Sequence, residues 1–174
     1  KTMVKEWLYQ LLSQQMVITR SPRRYNSQIG VPISVWLLNS HTQLGVFEAG
    51  ISLKGEMQAL HNIIRPTIAV LTNIGSAHEE NFSSAEEKCS EKLRLFKGAQ
   101  VMVYNADDEM VTRILNETEH KGERLAWSVK NHDAAMRITK IDKQPTHTTI
   151  HYIYKGGVPN CFSLPFIDDA SLFF

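Results

Sequence analysis

Between residues 2 and 129 the sequence alternates stretches of helical periodicity with short runs of branched apolar residues, and this alternation restricts the fold more than any other feature. Met3, Val4, Trp7, Leu8, Leu11 and Leu12 recur at three-to-four spacing, which predicts an amphipathic helix from Thr2 to about Gln15. Ser21 to Gly30 is polar and turn-like. Pro32 suits the first turn of a second helix, with Val35 to Leu38 as its apolar body. Leu44 to Ile51 reads as a buried strand. Gly55 to Ile64 reads as a helix that Pro66 stops. Thr67 to Ile74 is rich in branched residues and reads as the next strand. Ser83 or Ser84 caps a helix running to about Lys97, with Glu86 and Glu87 in its favourable first turn. Ala99 to Tyr104 is a further strand, Asp107 to Glu117 a helix, and Leu125 to Val129 a short strand.

Strands separated by helices imply βαβ units, hence an α/β fold with a mainly parallel sheet flanked by helices. From Met136 the pattern changes. Met136 to Ile141, Thr148 to Tyr154 and Cys161 to Phe166 are β-rich, with a Gly156-Gly157 turn before the last. Residues 136–166 are therefore expected to form an antiparallel β extension near the C-terminus. The 174 residues suffice for one domain, able to bury about 68–70% of its unfolded surface.

Charge narrows the partners. Lys and Arg total 19 against 18 acids, a net charge of +1, which argues against a broad electrostatic grip on nucleic acid or anionic lipid. No apolar run approaches the roughly 18 residues of a membrane span. Cys89 and Cys161 are too few for a disulfide framework and suit a reducing cytoplasm. The chain begins Lys1-Thr2, without an initiator methionine, and ends on apolar Leu172-Phe173-Phe174. These ends read as those of a piece of a larger protein.

Parallel sheets gather ligands at the carboxyl ends of their strands. Polar groups follow three expected strands: Glu48 with Gly50, Asn73 with His78, and Asn105 with Asp107 and Asp108. A carboxylate at Glu48 is costly unless paired or bound to a metal, or else it is a solvated strand end. A lone His78 is more often structural than a ligand, since oxygen suits Mg²⁺ better than imidazole. Lys88 and Lys92, one turn apart beside Glu87 and Glu91, read on their own as a salt-bridged solvated face. Arg20, Arg23 and Arg24 form a basic cluster fit for an anion or for solvent. Lys1-Thr2 at a helix start matches the end of G-x-x-x-x-G-K-[ST], whose glycines are absent from the chain.

Taken in order, these segments resemble the central, ATP-binding domain of the Mur ligases. The matching stretches are Lys1-Thr2, YNSQIGVP (25–32), FEAGISLKGEM (47–57), RPTIAVLTNIGSAHEENF (65–82), EKLRLF (91–96), NADD (105–108) and LPFIDDAS (164–171). The resemblance covers nearly the whole chain and is greatest to the D-alanyl-D-alanine-adding branch. It implies an ATP- and Mg²⁺-dependent ligase of peptidoglycan synthesis, working in the cytoplasm. ATP would activate the carboxylate of UDP-N-acetylmuramoyl-tripeptide as an acyl phosphate, which the amine of D-alanyl-D-alanine would attack.

By position, the resemblance implies that Lys1 contacts the phosphates and that Thr2, Glu48, His78 and a carbamylated Lys92 hold Mg²⁺. Asn26 would lie near the phosphate, with Asn105 and Asp108 near the base and ribose. Arg94 stands where the family carries an acidic residue. The phosphate loop is cut at Lys1, and the family's N-terminal UDP-binding and C-terminal domains lie outside residues 1–174. The isolated chain is therefore expected to be inactive. A folate-tailing ligase of the same superfamily, or a non-catalytic nucleotide-binding module, are the alternative readings.

Overall fold

The apolar stripe at the start of the chain closes into α1 (Thr2–Leu12), shorter than its periodicity suggested, with Ser13 as its C-cap. The computed structural model describes residues 1–75, 77–118 and 120–168. The end of the 164–171 match and the apolar Leu172-Phe173-Phe174 thus lie outside the described residues. The chain divides into two compact units, one of residues 1–66 and 74–97, the other of residues 67–73 and 98–174.

In the first unit α1 is followed by β1 (Ile18–Arg20), α2 (Gly30–Trp36), β2 (Leu44–Val46), α3 (Glu56–Ile64), a 3₁₀ turn η1 (Glu79–Asn81) and α4 (Ala85–Arg94). β1 and β2 pair in parallel, with Ile18 opposite Leu44 and Arg20 opposite Val46. Three residues are too few to show a periodicity, so β1 had no legible signal. β2 ends at Val46, so Glu48 stands in the loop beyond it rather than at the end of a longer strand.

α2 begins two residues before Pro32, whose missing N–H is harmless in a first turn. Gly30 opens it because a Cβ there would stand 2.8 Å from the Tyr25 Cα. Of the two serines before α4, Ser84 is the cap: its side chain accepts from the Glu87 N–H at 3.1 Å. Glu87 in turn accepts from the Ser83 N–H at 2.7 Å, a reciprocal arrangement close to a capping box. Val31, Met57, Leu60, Cys89, Leu93 and Phe96 are buried in this unit.

The second unit is a six-stranded sheet in the order β3-β4-β5-β6-β7-β8. Its strands are β3 (Ile68–Val70), β4 (Val101–Asn105), β5 (Glu123–Ser128), β6 (Met136–Lys143), β7 (Thr148–Tyr154) and β8 (Asn160–Leu164), with α5 (Glu109–Glu117) between β4 and β5. β3 to β6 are parallel, and β6-β7-β8 are antiparallel, which is the expected change of pattern after Met136.

A parallel connection ordinarily needs a dozen residues or more, usually a helix. Here β5 and β6 are joined by 129–135 alone. That suffices because they overlap only at Trp127 opposite Met136 and Ser128 opposite Arg137, so the chain does not return along the whole strand. Asp107 secures this connection, accepting from the Ser128 hydroxyl and from the Val129 N–H at 2.8 Å. Among the described residues no helix is long and apolar enough to cross a membrane.

Candidate functional site

α1 begins at Thr2 with Lys1 as N-cap, no side-chain cap and no acid in its first turn. Its first N–H groups and the positive end of its dipole are therefore not committed to an internal carboxylate cap, which is the setting that attracts phosphate. The loop after β2 brings Glu48 to this end. Glu48 is 6% exposed, and both its oxygens are engaged: Thr2 Oγ1 donates to Oε2 and Asn26 Nδ2 to Oε1, each at 2.8 Å. Lys1 Nζ donates to the Ala49 carbonyl at 3.1 Å. Burial lowers the Lys1 pKa, and the Glu48 charge opposes that shift.

The loop that carries Asn26 is itself anchored. Lys5, 3% exposed, donates through Nζ to the carbonyls of Ser21 at 2.8 Å and Arg23 at 2.5 Å. The Ser21 hydroxyl accepts from the Glu48 N–H at 3.2 Å. Gly50 N–H donates to the Asn26 carbonyl at 2.7 Å, and a Cβ at Gly50 would sit 3.1 Å from that oxygen. Glycine here lets the two loops meet. Lys5 and Ser21 were not legible as site residues. The one available signal was that Lys5 shares the helical row of Leu8 and Leu12, where a solvated lysine would not be expected.

α4 departs from the solvated-face reading of Lys88 and Lys92. Lys88 is 1% exposed and donates to the carbonyls of Gly75, at 2.8 Å, and Ala77. Lys92 donates to the Ile74 carbonyl. Burial first, then the charges of Lys1 and Lys88, push the Lys92 pKa down to about 8. Glu91 is also buried, and accepts from the Gly55 N–H at 2.8 Å at the start of α3 while pairing with Arg94 at 3.2 Å. Charge periodicity alone shows that two lysines share a row. It does not show that a loop covers that row.

His78 has a left-handed backbone, φ 62° and ψ 28°, and its Nδ1 lies 3.8 Å from Glu80. Among the described residues no hydrogen bond ties it to Thr2, Glu48 or Asn26. Asn105 and Asp108 belong to the other unit, with local roles: Asn105 Oδ1 accepts from the Asp107 N–H at 2.9 Å, and Asp108 caps α5 through the Val111 N–H at 3.0 Å. Arg20 of the basic cluster lies 3.7 Å from the centre of the Tyr9 ring and pairs with Glu6.

No three His, Cys, Asp or Glu side chains gather as a metal cage among the described residues. Mg²⁺ does not require one. It commonly takes one or two protein oxygens and completes its octahedron with water and phosphate. A buried carboxylate sharing a hydrogen bond with a hydroxyl at a helix N-terminus fits that demand.

A family profile described as Mur ligase middle domain matches residues 1–168. The chain belongs to the Mur ligase middle-domain family. Among relatives, the UDP-N-acetylmuramoyl-tripeptide–D-alanyl-D-alanine ligase of Bacillus subtilis is 26% identical over 171 residues, covering 96% of this chain and 35% of that protein. Crystal structure I of MurF from Acinetobacter baumannii superposes with a TM-score of 0.86 at 22% identity, covering 98% of this chain and 37% of that one. The MurF ligase of Thermotoga maritima in complex with ADP superposes with a TM-score of 0.78 at 23% identity, covering 94% and 37%. FPGS of L. casei is more distant, with a TM-score of 0.59 at 17% identity, covering 98% and 40%.

These superpositions bear out the expected fold of a Mur ligase middle domain, a parallel α/β sheet with antiparallel strands toward its C-terminus. The relatives are named as ligases, so the domain is related to an enzyme family. It spans about a third of the length of the curated relatives it matches.

Proposed function

We propose that this Mur ligase middle domain is the ATP-handling part of a cytoplasmic ligase that joins D-alanyl-D-alanine to UDP-N-acetylmuramoyl-tripeptide. The observation that carries this reading is the Thr2–Glu48 hydrogen bond at the uncapped start of α1, with the Lys1 ammonium beside it. The family match and the name of the Bacillus subtilis relative support the substrate assignment. We assign residues 1–174 to the nucleotide step. The UDP moiety and the second substrate fall to the remaining length of such ligases.

In the reaction, a carboxylate oxygen of the tripeptide attacks the γ-phosphorus and ADP leaves. The amine then attacks the acyl phosphate carbon, phosphate departs, the amine nitrogen loses a proton and an amide remains. Mg²⁺, when bound, neutralises phosphate charge and fixes its geometry. The chain's own residues prepare that place. Thr2 and Glu48 present hydroxyl and carboxylate oxygens, and Asn26 holds the second Glu48 oxygen and so sets the carboxylate plane. Lys1 and the α1 amides offer donors to phosphate oxygens. His78 is assigned to a second cation.

With its pKa near 8, Lys92 keeps a neutral fraction able to add to carbon dioxide, forming a carbamate and releasing a proton. The product is an anion where the ammonium had been, beside the cationic Lys1 and Lys88.

The test is amide formation by the ligase that contains this domain, assayed with UDP-N-acetylmuramoyl-tripeptide and D-alanyl-D-alanine and, separately, with a folate and glutamate. Turnover is expected with the first pair only. Glu48→Gln should lower kcat by about 10²-fold, the usual effect of removing one electrostatic group from such a site. Full activity in Glu48→Gln would reject the reading in favour of a non-catalytic module.

A further inference from the structure

Lys88 is among the largest fully buried side chains in the chain, and the ligase reading gives it no task. α4 buries it together with Cys89, Glu91 and Leu93, and a methionine or leucine at position 88 would carry no cation to desolvate. What the ammonium does instead is local and directional. It donates to the carbonyls of Gly75 and Ala77, while Lys92, one turn on, donates to that of Ile74. A lysine head is compact and carries three N–H donors, so a single residue can hold more than one backbone carbonyl.

His78 directly follows Ala77. It is not a glycine, yet it adopts a left-handed backbone with φ 62°. Such a conformation persists only where the surroundings over-determine it. η1, which starts just after, has no side-chain cap, and its first turn closes through the Asn81 N–H onto the His78 carbonyl at 3.3 Å. Among the described residues, the side-chain donors to the backbone just before His78 come from α4, while Asn81 Nδ2 ties the segment after it to the Ser52 carbonyl at 3.0 Å.

We infer that Lys88 is a positioning residue: its buried ammonium draws the Gly75 and Ala77 carbonyls onto α4 and so sets the backbone that carries His78. Lys88 touches neither nucleotide nor metal in this scheme. The effect on catalysis rests on the ligase reading, in which His78 serves a cation. The effect on the loop does not.

The loop is tested in the 174-residue chain by amide hydrogen exchange of Lys88→Met. Exchange at Asn81 and Phe82 should rise at least tenfold relative to the α3 amides, and Lys88→Arg, which keeps a cation, should restore part of the protection. An equal rise in both regions, or none, overturns the inference. Should Lys88→Met not fold, Lys88→Gln carries the same readout.

The catalytic arm uses the full ligase in a double-mutant cycle. Lys88→Met should lower kcat at least tenfold with the KM for the amine substrate unchanged. The Lys88→Met/His78→Ala double variant should be no slower than His78→Ala alone. Losses that multiply would mean that Lys88 does not act through His78. If His78→Ala by itself keeps the full rate, the assigned role of His78 fails, and the exchange result alone decides Lys88.

Discussion

Glu48 shows what a buried charge requires. At 6% exposure it would be strongly destabilising alone, and Thr2 and Asn26 each supply a donor to one of its oxygens. The acid was legible as out of place in an apolar stretch. Its partners, 46 and 22 residues away, were not, because no local pattern links them. Lys92 offers a pH test at the same scale. Its folded pKa of about 8 lies below the unfolded value of 10.5, so between these the unfolded chain holds a proton that the folded chain has released. Stability should therefore rise with pH from about 8 to 10.5, and the burial-lowered Lys1 and Lys5 act in the same direction. Urea midpoints at pH 7.5, 9 and 10 should climb in the parent chain and climb less in Lys92→Met. Parallel curves for the two would show that Lys92 is not the group responsible.

Elements were readable where local rules suffice. α4 begins beside the two serines expected to cap it, with Ser84 as the cap, since capping depends on residues three apart. Ser84→Ala should cost about 1 kcal/mol of stability by chemical denaturation. A change under about 0.3 kcal/mol would show that the remaining Ser83–Glu87 contact holds the start of the helix unaided. α5 starts two residues after the expected Asp107, with Asp108 as its cap, and β7 occupies the span its alternation predicted. Faces were harder to read than spans. Periodicity put Lys88 and Lys92 on one row of α4 but assigned that row to solvent. The Gly75 and Ala77 carbonyls lie on it instead, a pairing 11 to 13 residues apart in sequence that no helical rule contains. β1 is the opposite case: three residues that become a strand only because β2 runs beside them.

At the scale of the molecule, the chain falls into two units, and Lys1, Thr2, Asn26, Glu48, His78 and Lys92 all belong to the first. Within it, contacts bring Thr2, Asn26 and Glu48 together. The chain alone, incubated with ATP, UDP-N-acetylmuramoyl-tripeptide and D-alanyl-D-alanine, is expected to give no amide above background, while the full ligase turns over. Product formation by the chain at a rate near that of the ligase would disprove the division of labour proposed above. The sequence by itself determined the α/β class, most helix and strand positions, the change to antiparallel pairing after Met136 and the family, because periodicity, capping and short motifs are local or ordered along the chain. Only the tertiary structure decided which charges are buried and what satisfies them. A lysine's burial depends on whichever distant backbone packs over it, and that is set when the chain closes on itself.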